Sequence, residues 1–172
     1  MSTEVLTADP ILETTPAPAA TEEPQLQLPP PVQDDFLDAL VGDWEGKYTL
    51  AGIEFDSQAE VRWFLNNQYV QALNHSRGSI GLVESQELWQ PTPEPGVYKL
   101  WWFDPFGNAG CADARATETG FVIHGQDPSM GAFRNSVTKN GRDELIFRLD
   151  AGPDEEGNFT QAGGGYYRRV KA

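Results

Sequence analysis

Residues 59–65 read Ala59-Glu60-Val61-Arg62-Trp63-Phe64-Leu65 and run into Asn66-Asn67, and this stretch decides the fold. Apolar side chains at 59, 61, 63 and 65 alternate with Glu60 and Arg62. A period of two puts one face of a strand in a dry interior and the other in water. The three- and four-residue recurrences of a helix are absent here. The same alternation returns at Leu145, Phe147 and Leu149, with Glu144 and Arg148 on the opposite parity.

Working outward, the chain reads as strand, turn, strand with a spacing near ten residues. Strands are expected near 44–51, 57–65, 68–76, 80–90, 96–103, 108–116, 119–125, 131–138, 143–150 and 159–169. The breaks carry turn chemistry: Asn66-Asn67, Pro91 to Gly96, Asp104-Pro105-Phe106-Gly107, Asn140-Gly141 and Gly152-Pro153-Asp154. Asn140-Gly141 is the sharpest, since both residues tolerate the positive φ of a tight hairpin. Gly163-Gly164-Gly165 is expected to let the last strand bend or bulge. Ahead of the strands, Asp34 to Gly42 carries the marks of one short helix, with acids in its first turn and a glycine stop. The expected fold is therefore all-β: roughly ten antiparallel strands curled into an up-and-down barrel, which removes both exposed edges, with one short N-terminal helix. A β-sandwich is the alternative.

Composition narrows the function. The 172 residues include 26 acids and 12 bases, a formal charge of −14. That excess argues against nucleic acid and anionic membrane, which need clustered Lys and Arg. One cysteine excludes an internal disulfide and a multi-cysteine zinc site. No apolar run is long enough for a membrane span, and no export signal is legible, so a cytoplasmic location is expected. Residues 1–35 hold seven of the 13 prolines and seven acids, with no Lys, Arg or aromatic residue. Such a stretch cannot bury enough apolar surface to offset its ordering entropy. It is expected to be a disordered, acidic, proline-rich leader to a domain spanning 36–172, and a peptide ligand for a partner domain is its functional alternative.

Gly42-Asp43-Trp44-Glu45-Gly46 opens the first strand directly after the short helix. A G-x-W motif in that place resembles the opening of lipocalins and other calycin-type barrels, and G-x-W-x-G resembles the nitrobindin type of ten-stranded haem barrel. With Arg62-Trp63-Phe64-Leu65, Tyr98 to Asp104 and Tyr166-Tyr167-Arg168-Arg169, the domain looks most like a bacterial family of lipocalin-like proteins of unassigned function. The resemblance implies structural roles for Gly42, Trp44 and Gly46. It also implies that Arg168 or Arg169 covers Trp44 by a cation–π contact, Arg168 being the one assigned. The nitrobindin likeness implies haem as a cofactor with His124 as axial ligand. Two features depart from it: Tyr48 stands where that opening has a glycine, and the last two strands hold no histidine.

Read from the residues, the chemistry is sparse. Cys111 lies among small residues and is expected to be a buried hydrophobe, with His124 able to activate it only if both point inward. Asp150, Asp154, Glu155 and Glu156 read as a solvated turn without calcium-loop spacing. No serine-hydrolase elbow, phosphate loop or zinc-protease motif is present, so catalysis is not supported. What remains is the interior of a barrel with more room than core. Trp63, Leu65, Leu73, Tyr98, Leu100, Trp102, Phe147 and Leu149 are expected to face inward, with Lys99 turning Trp101 outward. The expected function is the binding of a small hydrophobic or amphipathic molecule by Trp63, Tyr98, Trp102, His124 and Arg134. The alternatives are haem on His124, or an interaction module that uses the leader.

Overall fold

The computed structural model describes residues 27–171. One helical turn, α1 (Asp35–Asp38), precedes ten strands: β1 (Gly42–Leu50), β2 (Ile53–Phe64), β3 (Tyr69–Gly78), β4 (Gly81–Pro91), β5 (Val97–Phe103), β6 (Ala109–Ala116), β7 (Gly120–Asp127), β8 (Gly131–Lys139), β9 (Glu144–Ala151) and β10 (Thr160–Arg169). Every consecutive pair is antiparallel, and β1 closes onto β10 to complete the barrel. Each strand expected from the alternation and turn chemistry is present. The helix expected over residues 34–42 contracts to its first turn, because β1 already begins at Gly42. Among the described residues, no helix is long and apolar enough to cross a membrane.

Alternation decides what lies inside. In β2, Phe55, Ser57, Ala59 and Val61 are buried while Glu54, Asp56, Gln58 and Glu60 are exposed. The ladders transmit that parity: Trp44 sits opposite Ala59 on one side and Arg169 on the other, and Val61 sits opposite Ala72. Two sequence expectations fail on parity. Leu65 lies beyond the end of β2, where Leu65, Asn66 and Asn67 all take left-handed φ values to make the turn, and it is 60% exposed. Leu73 faces outward, because Val70, Ala72 and Ser76 hold the inward positions of β3. Asn140-Gly141 also differs from expectation: only Gly141 takes a positive φ, and the β8–β9 connection spans four residues. In β10 the glycine run accompanies a register break between Gln161 and Gly163.

One end of the barrel is plugged. Asp34 caps α1 by accepting from the Leu37 N–H at 2.9 Å, and the Tyr98 hydroxyl donates to the same carboxylate at 3.2 Å. Leu37 and Leu40 drop into the barrel end onto Trp44, Val70, Tyr98 and Phe121. Phe36 stacks on Tyr98 at 4.7 Å and meets Phe121 edge-on at 5.5 Å. The preceding chain is strapped across the β2–β3 turn. Val32 N–H donates to the Asn67 carbonyl at 3.0 Å, and the Asn66 and Gln68 amides reach the Pro29 and Pro30 carbonyls. Residues 29–34, read in sequence as the end of the leader, are tied to the barrel by these hydrogen bonds, and residues 1–26 lie outside the described residues.

The G-x-W opening serves this plug. Trp44 donates from Nε1 to the Leu40 carbonyl at 2.9 Å. Its ring is covered by the Arg169 guanidinium at 4.2 Å, while Arg168 lies over Tyr166 and pairs with Glu144 on the outside. The assignment of Arg168 is thereby corrected to Arg169, and register is the reason: Trp44 pairs with Arg169, whereas Arg168 pairs with outward Glu45. Arg169 also donates to the Ala39 and Val41 carbonyls, tying the chain after α1 to the last strand. Gly42 adopts φ +147°, and a β-carbon there would lie 2.2 Å from the Arg169 guanidinium. At Gly46 a β-carbon would meet the Tyr166 carbonyl at 2.1 Å and the Tyr167 ring at 2.8 Å.

Leu37 is 0% exposed. Leu37→Ala is expected to lower the unfolding free energy by about 3 kcal/mol, the usual cost of an emptied core leucine site. Leu65→Ala is expected to change it by less than about 0.5 kcal/mol. Urea denaturation of the two variants checks both, and equal losses would contradict the assigned parity.

Candidate functional site

Beyond the plug, the side chains no longer meet across the barrel axis, and a cavity of about 270 Å³ remains. Its floor is Leu40, Trp44, Val70 and Trp89, the inner surface of the plug. The walls differ in chemistry. One is apolar and comes from β7 to β9: Phe121, Ile123, Val137, Leu145, Phe147 and Leu149. The other comes from β2 to β4 and carries Asn74, Ser76, Ser85 and Glu87, with Ser57 hydrogen-bonded to Ser76. Adjacent ladders stack these polar residues side by side, Asn74 opposite Ser85 and Ser57 opposite Ser76.

The polar wall is partly satisfied within itself. The Ser57 hydroxyl is hydrogen-bonded to Ser76 and to Tyr167, each at 2.9 Å, which links β10, β2 and β3. Burial pushes the Tyr167 phenol well above its ordinary range, and the hydrogen bond with Ser57 opposes this only in part. Glu87 receives the Trp89 Nε1–H at 3.1 Å. Glu87 is half-buried and lines the cavity. Burial therefore raises its pKa above the ordinary carboxylate value, and the Trp89 hydrogen bond offsets this only in part. On the facing wall, the Asn135 side-chain oxygen is buried with no hydrogen-bond partner among the described residues.

None of the five residues expected to bind the ligand lines this cavity. Tyr98 and Trp63 face inward but at the plug, where Tyr98 bonds Asp34 and the Trp63 indole donates to Asp38 at 2.7 Å. Trp102 faces inward as Lys99 implied, but its ring lies across Gly110 and meets Phe133 edge-on at 5.5 Å, so it forms wall packing. His124 is exposed on the outer face, because Phe121 and Ile123 take the inward positions of β7. Arg134 is outward too, bonded to Asp150 at 2.9 Å and lying over the Phe159 ring at 4.3 Å. Phe147 and Leu149, also expected inward, do line the cavity.

These placements correct the alternatives as well. His75 pairs with Glu84 on the outer surface, so neither histidine reaches the interior and the residues present do not fit a histidine-ligated haem. Cys111 is exposed rather than buried, and with His124 also outward, no Cys–His pair forms inside the barrel. Asp150, read as part of a solvated turn, is 1% exposed and held by Arg134 and Arg148. Its burial would raise the carboxyl pKa, but the two guanidinium hydrogen bonds outweigh that and hold it below the usual value. The sequence reading missed Glu87, Asn74, Ser85 and Asn135. The signal available was parity, since Trp89 as an inward residue puts Glu87 and Ser85 on the same face.

No family model and no curated protein matches the chain. Among solved structures, Rv2717c from M. tuberculosis superposes with a TM-score of 0.61 at 16% identity, over 78% of this chain and 95% of that one. The S-type phycobiliprotein lyase CPES from Guillardia theta superposes with a TM-score of 0.57 at 12% identity, over 80% of this chain and 92% of that one. At these identities the likeness is one of fold, the closed ten-stranded antiparallel β-barrel described above.

The raised Glu87 pKa has a sign that can be tested. The folded chain keeps a proton that the unfolded chain releases, so Glu87 takes stability away as pH rises above the ordinary glutamate range. Below that range both states are protonated and the penalty vanishes. Glu87→Gln is therefore expected to be more stable than the native chain at pH 8, with the difference shrinking steadily toward pH 4. Thermal unfolding across that range checks it, and a difference that grows toward acid would contradict the assignment.

Proposed function

We propose that this protein binds a small amphipathic molecule inside its barrel, with the ligand's apolar face against Phe121, Ile123, Val137, Phe147 and Leu149 and its polar edge toward Asn74, Ser85 and Glu87. The two-sided lining of the cavity carries this reading. A core that merely filled the barrel would be apolar throughout, because a buried polar group without a partner costs about 1–3 kcal/mol. Here a carboxyl, two carboxamide side chains and a hydroxyl-bearing strip line unfilled space beside aromatic walls, the usual composition of a small-molecule site. That the barrel fold is shared with a protein named as a phycobiliprotein lyase is compatible with an interior ligand. In this reading the barrel is the working unit, and the acidic, proline-rich leader of residues 1–35 is an appended segment whose last residues lock the plug.

The test uses N-phenyl-1-naphthylamine, an uncharged probe whose emission rises in apolar surroundings. The native chain is expected to enhance its fluorescence saturably. Ala72→Phe, which places a ring in the cavity beside Glu87, is expected to weaken that binding by about tenfold or more, equivalent to about 1.4 kcal/mol. Its thermal stability should stay within the range of an overpacked core, about 1–3 kcal/mol. Unchanged probe binding in a folded Ala72→Phe variant would contradict an interior site.

A further inference from the structure

We infer that the cavity selects a small aromatic amphiphile bearing a basic nitrogen, recognised as its ammonium form by the carboxylate of Glu87. This rests on the interior-site reading and adds the chemical class of the ligand.

Of the residues that wall the cavity, Glu87 is the acid, and none is Lys, Arg or His. Cations elsewhere in the barrel are committed to other partners. Arg169 covers Trp44 from outside the cavity, and Arg134 and Arg148 bond Asp150 on the outer face. A ligand with a carboxylate or phosphate head would bring its charge against Glu87 with no donor cation to meet it. Such a pair in a water-poor site is disfavoured both by like-charge repulsion and by lost hydration. The charge of the whole chain, −14, extends the same preference to the approach, repelling anions and concentrating cations near the mouth.

Hydrogen-bonding capacity points the same way. An ionised carboxylate offers about four acceptor positions, and Glu87 uses one of its oxygens, for the Trp89 indole. The Asn135 side-chain oxygen on the other wall is an acceptor without a partner among the described residues. Ser57, Ser76 and Tyr167 already bond one another, which leaves the Glu87 carboxylate and the Asn135 oxygen as acceptors that a donor-bearing ligand can meet. An ammonium group supplies three donors and a charge. The rings of Trp44, Trp89, Phe121 and Phe147 around it present π faces and edges that also attract a cation. Burial disfavours a lone charge on Glu87, and a cation seated beside the carboxylate offsets that burial. The volume of about 270 Å³ sits near the lower end of small-molecule sites, roughly 300–1,000 Å³, which fits a bicyclic aromatic body and excludes a long acyl chain.

The experiment compares three ligands with one skeleton at neutral pH: 2-(1-naphthyl)ethylamine, 2-(1-naphthyl)ethanol and 1-naphthylacetate. Each is titrated by competition with N-phenyl-1-naphthylamine, on the native chain and on Glu87→Gln. The native chain is expected to bind the amine about tenfold or more tighter than the alcohol, with the acetate weakest, the scale of a charge-assisted bond worth about 1.5–3 kcal/mol. In Glu87→Gln the amine and alcohol are expected to become equal, each read against the probe affinity measured on the same variant. Equal affinity for all three on the native chain would overturn the inference and leave the interior site standing. An amine preference that survives in Glu87→Gln would overturn the assignment to Glu87. Failure of the probe and all three ligands to bind the native chain would overturn both readings. Should Glu87→Gln lose the probe, Glu87→Met, a volume-matched uncharged replacement, makes the same comparison.

Discussion

Closure of ten strands into one ring is the constraint on which the rest of the structure depends. Once β1 pairs with β10, no strand can slip by one residue without turning its whole inward set to solvent. The pairing of Trp44 with Ala59 and Arg169 therefore fixes, step by step around the ring, which residue of every strand meets the interior. Ten strands also enclose more space than their side chains fill. The molecule resolves that excess unevenly. At one end a single helical turn and the strapped segment before it supply Leu37, Leu40 and Phe36 as a plug. Toward the other end the space is left open and lined.

This division explains why the aromatic residues expected to bind the ligand do not line the site. Tyr98, Trp63 and Trp102 are inward-facing, but each is engaged by a neighbour: Asp34, Asp38, or Phe133 beside Gly110. They stabilise the ends and walls of the barrel. The cavity lies where inward residues are smaller or polar, at Ala59, Ala72, Asn74, Ser76 and Ser85. Stability and function are thus drawn from different stretches of the same strands. The site depends on the plug, which gives the cavity its floor, and on the bonded chain from Tyr167 through Ser57 to Ser76, which holds three strands of its polar wall in place.

How much of this was legible in the sequence follows from the physics of alternation. In β2 and β9 charged residues alternate with apolar ones, so parity can be read directly. In β7 the run Phe121-Val122-Ile123 is apolar on both parities, and nothing local says that His124 falls outside. In β10 Arg168 and Arg169 are chemically equivalent neighbours, and only the register with Trp44 separates them. Leu65 continued a clean pattern but belongs to the turn, which needs left-handed residues and drew three in succession. Glu87 was missed for the opposite reason. An acid in a strand is read as solvent-facing, and its burial shows only when Trp89 two residues on is known to point inward. Asp150 hid in the same way, among acids that are exposed, until two guanidinium groups were brought to it by β8 and its own strand.

The most direct test of the account is a crystal structure of the protein grown with 2-(1-naphthyl)ethylamine. The account expects the naphthyl ring between Phe121 and Phe147 inside the barrel, with the ligand nitrogen within hydrogen-bond distance of the Glu87 carboxylate. A barrel whose interior is closed by repacked side chains, or a ligand seated only on the outer face, would contradict it.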